Sequence, residues 1–201
     1  MAAKLVQIVA KRPPAPKVTL SVDSTPKALA RLQELILHVA NRCIETEHFG
    51  AVKLNKVLAF ADFTSYSRHG KPITGVEYMR QRNGPVPRRM KPLIMKMERE
   101  RLIAIHKRPV GRYIEHRFIP LRDANLDLFS PRDIAIVEEV IAVMRSATAT
   151  QVSEFSHGRA WQVAGDDGVS IPYEAAFLSD RPLSDSDIAM TRELNQKYGW
   201  D

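Results

Sequence analysis

The sequence contains a single cysteine, Cys43, among 201 residues. No disulfide can form within the chain, and the composition suits a reducing, cytosolic setting. Long apolar runs are also missing. No stretch approaches the roughly 18 residues that a membrane span needs. Leu5 to Ala10 is too short for the core of a signal peptide, and Lys11-Arg12-Pro13-Pro14 follows at once. The expected location is the cytoplasm. Catalytic signatures are scarce too. There is no Gly-x-Ser-x-Gly elbow, no Walker-type loop and no dinucleotide fingerprint. The histidines at positions 38, 48, 69, 106, 116 and 157 have no metal-ligand spacing with cysteine or acidic partners. No catalytic set, metal site or cofactor is expected, and the chain reads as a non-enzyme. Internal repeats and heptads are absent.

Charge is present in quantity and unevenly placed. Residues 1–27 carry a net +4 and residues 28–66 are neutral. Residues 67–117 carry +10 and residues 118–201 carry −7. Such polarity can steer an acidic partner or nucleic acid. The plainer reading is that the two regions face each other and partly cancel, since charge runs are most often solvated faces. Hydrophobic residues make up 44%, which is a globular composition.

Residues 1–24 read as a basic, proline-containing, loosely ordered extension. Residues 25–201 read as the folded part: mainly α, a single compact helical domain with a small β-hairpin element and a C-terminal helix. Thr25 and Pro26 suit the cap and first position of a helix. Leu29, Leu32, Ile36, Val39 and Cys43 form one helical face, which makes Cys43 a core residue rather than a nucleophile. A second helix carries Leu54, Val57, Leu58 and Ala61, widened by Phe60 and Phe63, so it should be buried on most sides. His69-Gly70-Lys71-Pro72 stops it. Val76–Met79 is strand-like, and Asn83-Gly84-Pro85 forces a turn. Met90, Leu93, Ile94 and Met97 trace a third helix, with Pro92 in its first turn or marking its start. A β-hairpin around Pro109-Val110-Gly111 follows. If it is centred near Gly111, His106 and His116 face each other as an ordinary cross-strand pair.

Ser130-Pro131-Arg132-Asp133 starts another helix, with one stripe of Ile134, Val137, Ile141 and Met144 and a second of Ile136, Val140 and Val143. Short helices are expected at Thr150–His157 and Ala160–Val163. Gly165-Asp166-Asp167-Gly168 reads as a solvated turn rather than a cation site. Ser184 and Asp187 frame a last helix over about Asp185–Tyr198.

Nucleic-acid binding is the alternative function. A basic helix followed by a hairpin has the order of a winged helix, with Arg88, Arg89, Lys91, Lys96 and Arg112 as phosphate contacts. Against this, the helix has two prolines near its start and no Asn or Gln to read adenine.

Two stretches carry a resemblance. One is Leu54–Pro87, with KLNKVLAFADF at its opening, GKPITGVEYMR in the middle and NGPVP at its close. The other is SEFSHGRAWQ followed by IPYEAAF, at residues 153–177. In this order and spacing they resemble the Panacea, or SocA-like, antitoxin domain, over roughly residues 28–180. The resemblance implies a mostly helical binding module that neutralises a partner toxin, often the product of the neighbouring gene, by direct contact. A relative acts as a proteolytic adaptor, which implies a protease as a further partner. Some relatives are phage-associated, and some carry an added DNA-binding domain. No helix-turn-helix is visible in residues 1–27.

The partner-binding candidates are Tyr66, Arg80, Asn83, Pro85, His157, Trp161, Tyr173 and Glu174. Trp161 could anchor an interface, although such a residue is more often core. His157 would share a helix face with it. Arg80 is expected to pair with Glu174 and link the two stretches, which should pack side by side.

Overall fold

The computed structural model describes residues 25–146, 161–162, 164–178 and 184–198. Helix α1, Pro26–Arg42, begins as its sequence predicts. The Thr25 hydroxyl accepts from the Ala28 N–H at 3.1 Å, and Pro26 needs no partner for its missing N–H. Helix α2, Ala51–His69, is the centre of the molecule's main unit. Leu54, Val57, Leu58, Ala59 and Ala61 are all buried, and α1 packs against it. It ends at Gly70, whose φ of +69° places it in the left-handed region that favours glycine.

Strand β1, Tyr78–Gln81, pairs antiparallel with β2, Gly84–Pro87, through a two-residue turn at Arg82-Asn83. The expected turn at Asn83-Gly84-Pro85 is thus one step early in the chain, and GPVP is a strand. Its prolines explain how this is tolerated. Bonded and non-bonded pairs alternate along an antiparallel ladder, so Pro85 and Pro87 fall at positions that need no N–H. Arg80, opposite Pro85, makes its bonds on the other side. Its N–H donates to Val169 O and its carbonyl accepts from Gly168 N, both at 2.8 Å. There β1 meets β5, Ser170–Ile171, giving a sheet of order β2-β1-β5.

Helix α3, Met90–Arg99, buries Met90, Leu93, Ile94 and Met97. Strands β3, Ile103–Val110, and β4, Tyr113–Pro120, form the separate second sheet. The register corrects the histidine pairing. His106 faces Arg117, and His116 faces Lys107, because the turn is Gly111-Arg112 rather than Gly111 alone. Gly50, which caps α2, lies under β4. A Cβ on it would stand 2.7 Å from Glu115 Cγ and 3.2 Å from the His116 carbonyl, so the two segments approach this closely only with glycine there.

Helix α4, Pro131–Ser146, packs along α2. Its start is a reciprocal capping box. Ser130 N–H donates to Asp133 at 3.0 Å, and Asp133 N–H donates to the Ser130 hydroxyl at 3.2 Å. Val137, Ile141 and Met144 are buried, as are Ile136 and Val140. Val143 is 60% exposed, so the second apolar stripe stops one turn short of expectation. The expected helix at Thr150–His157 lies outside the described residues, as do both ends of the one at Ala160–Val163. A 3-10 helix, Tyr173–Phe177, follows β5 and packs on α2. Helix α5, Asp185–Tyr198, belongs to a second unit and has the bounds its sequence predicts.

The fold is therefore helix-rich, with two small sheets in place of the single β element expected. No helix among the described residues is long and apolar enough to cross a membrane. No group of three or more His, Cys, Asp or Glu among them could hold a metal ion.

Candidate functional site

The first stretch singled out in the sequence and the described part of the second meet around β1; residues 153–160 lie outside the described residues. From the central helix, Asp62 points into the interior and is fully buried. An apolar interior offers a carboxyl group nothing, so each contact must come from a placed donor. Thr74 supplies its N–H at 2.6 Å and its hydroxyl, and the Tyr78 hydroxyl donates at 2.9 Å. Tyr173 donates to the Val76 carbonyl at 2.6 Å and its oxygen lies 3.5 Å from Asp62. Burial raises the Asp62 pKa, and the Thr74 and Tyr78 hydrogen bonds only partly offset it. Burial, then the neighbouring Asp62 charge, raises the Tyr78 hydroxyl as well. Phe63 and Tyr66 complete the aromatic layer, Tyr66 stacking on Tyr173 at 5.5 Å and Phe63 lying 5.2 Å from it.

A second device holds the hairpin from outside. The Arg80 guanidinium lies 3.7 Å from the centre of the Trp161 ring and pairs with Asp167 at 2.6 Å. Trp161 Nε1 donates to Gln81 O at 2.9 Å. Arg88 pairs with Glu77 at 2.8 Å and donates to Gly168 O and the Ser170 hydroxyl. The described part of the second stretch, from Trp161 on, packs beside the first as expected, but Arg80 pairs with Asp167 rather than Glu174. Glu174 instead accepts from the Tyr66 hydroxyl at 2.9 Å. The separation follows from the chain path: Asp167 sits in the turn just before β5, beside Arg80, whereas Glu174 lies after it against α2.

The structure separates the other candidates. Tyr173 is core. Tyr66 and Glu174 sit together at the surface end of the aromatic layer. Arg80 and Trp161 form the clamp and are largely used by it. His157 lies outside the described residues. Asn83 and Pro85 are elsewhere, on the hairpin, where they line a cavity of about 560 Å³. That cavity is bounded by the start of α2, the β1–β2 hairpin, α3 and the β3–β4 hairpin. Arg88 and Lys91 also line it. Arg89 and Lys96 are exposed on or beside α3, and Arg112 is at the far hairpin turn.

Sequence reasoning missed Asp62 and Lys56. Lys56 is buried in α2, and its ammonium donates to the Asn83 carbonyl under the hairpin turn. Burial takes its pKa down to about 8. Both sit inside a helix whose apolar residues occupy most sides, and that alone marks an ionisable residue there as buried and in need of a partner. The cavity had no such signal, because its walls come from four separate elements.

The family model for the SocA-like antitoxin, Panacea domain, matches residues 54–162. This is more than half of the chain, and it spans α2, both hairpins, α3 and α4. The chain belongs to this family. It is an antitoxin-like protein, and the resemblance carried by KLNKVLAFADF and NGPVP is correct. The match within the Panacea family begins at Leu54 and ends just past Trp161, so IPYEAAF lies beyond it. No curated protein and no solved structure matches the chain.

Proposed function

We propose that this Panacea protein neutralises a toxin protein, the product of a neighbouring gene, by binding it directly. Family membership over residues 54–162 carries the reading. The construction of the site supports it. The Asp62–tyrosine layer and the Arg80–Trp161 clamp hold the β1–β2 hairpin in one position from inside and outside, and a preordered surface loses less entropy on binding. The chain acts as a binding protein rather than an enzyme. Co-expression tests the reading: the neighbouring gene product alone should arrest growth, and this protein should restore it. A harmless neighbour, or arrest that persists with both proteins expressed, would sink it. If growth returns because the toxin disappears from the cell, delivery to a protease is the route; if the toxin persists at its normal level, occlusion is.

DNA binding is the second reading, favoured by one observation. Helix α3 leads directly into the β3–β4 hairpin, with Arg89, Lys91 and Lys96 exposed. Phosphate contacts would give an affinity that falls steeply with salt. No retardation of duplex DNA at low salt would remove this reading.

A further inference from the structure

We infer that the cavity between the β1–β2 hairpin and α3 receives an apolar side chain of the partner toxin, with acidic residues of the same segment meeting Arg82 and Lys91. The inference rests on the antitoxin reading and says where and what that protein binds.

Size and lining come first. About 560 Å³ falls within the ~300–1,000 Å³ typical of binding cavities. Met79, Val86, Ile94, Met95 and Phe118 give it apolar walls. Met95 at the surface of α3 is 60% exposed, and Val52, which also lines the cavity, is 38% exposed. Exposed methionine beside a cleft is adaptable contact surface, since its unbranched side chain can follow the shape of an inserted group.

Charge then selects the occupant. Arg82, Arg88 and Lys91 line the cavity, with Glu98 as the acidic residue among the lining groups. Arg88 is already engaged by Glu77. Arg82 and Lys91 are exposed and make no ion pair among the described residues. Arg89 is exposed nearby and adds to the same field. A basic segment is repelled here, which disfavours the chain's own residues 1–27, with their net +4. An acidic segment is drawn in and oriented. The mostly apolar walls favour a protein side chain over a nucleic-acid backbone, which would need cations along its whole track.

The test uses the full chain and the neighbouring-gene toxin, with affinity measured by calorimetry at two salt concentrations. The variants are R82E/K91E and Met95→Gln. The double variant changes exposed, unpaired side chains and should melt at the wild-type temperature. It should bind the toxin at least about tenfold more weakly, with a smaller salt dependence. Met95→Gln, which removes the apolar contact without changing charge, should weaken binding comparably and leave the salt slope as in the wild type. Wild-type affinity in a folded double variant overturns the inference and leaves the antitoxin reading standing. A wild-type chain that does not bind the toxin overturns both. Salt-dependent DNA binding that the double variant abolishes, with toxin affinity unchanged, assigns the face to nucleic acid and also overturns the inference.

Discussion

Asp62→Ala should destabilise the protein by about 3–5 kcal/mol. The replacement strands the Thr74 N–H, the Thr74 hydroxyl and the Tyr78 hydroxyl in the interior, and each orphaned donor costs about 1–3 kcal/mol. Removing a carboxyl that is itself poorly solvated returns part of that sum. Asp62→Asn keeps one acceptor and should lose roughly half as much. Urea denaturation gives both values. The pH dependence is a sharper signature. Burial raises the folded pKa above the ordinary 3.8. Between 3.8 and the folded pKa the native state holds the proton and the unfolded state does not, so stability falls as pH rises through that window. The difference between wild type and Asp62→Asn should therefore shrink with rising pH. A flat difference would place the carboxyl in a solvated setting.

Glu34→Ala comes next, at about 2–4 kcal/mol. Glu34 is 5% exposed on α1 and holds the segment after β4. It accepts from Arg122 at 2.6 and 2.7 Å and from the Asn125 N–H at 2.8 Å. Breaking a buried pair costs about 3–5 kcal/mol, and the figure is lower here because the Arg122 side chain is 37% exposed and can turn to water. The pH signature is opposite to that of Asp62. Burial pushes the Glu34 pKa up, but Arg122, the Asn125 N–H and Gln33 together bring it below the ordinary 4.5. Its stabilisation is present above 4.5 and is lost as pH falls through the folded pKa. The difference between wild type and Glu34→Gln should grow as pH rises over the acid range. Matching slopes for the two carboxylates would contradict the assigned environments.

Helix boundaries were legible where they depend on a few adjacent residues. Thr25-Pro26, Gly70 and Ser130–Asp133 act through their own backbone geometry, and α5 has its predicted bounds. Strand β2 was hidden because two prolines in four residues read as a turn. Its edge position is a property of the sheet, not of those residues. The His106–His116 pairing failed by one residue, since register depends on turn length. Val143, 60% exposed, failed because spacing marks a helix face and not how far along the helix that face is buried. The pairing of Arg80 followed chemistry correctly and chose the wrong carboxylate, because Asp167 and Glu174 differ in place, not in kind. Asp62 was missed, although it is a carboxyl among apolar neighbours; its donors come from Thr74, Tyr78 and Tyr173, and only folding brings them together.

The link from fold to function runs through the hairpin. Buried groups below it and the Arg80–Trp161 clamp beside it fix its position. The cavity beside it combines apolar walls with Arg82 and Lys91, which make no ion pair among the described residues. Those features suit a protein partner.

Size-exclusion chromatography of the purified protein mixed with the product of the neighbouring gene, the proposed toxin, tests direct neutralisation most directly. A stable complex is expected to elute ahead of either protein, with the toxin inactive in it. Separate elution of two folded proteins, with the toxin fully active in the mixture, would contradict it.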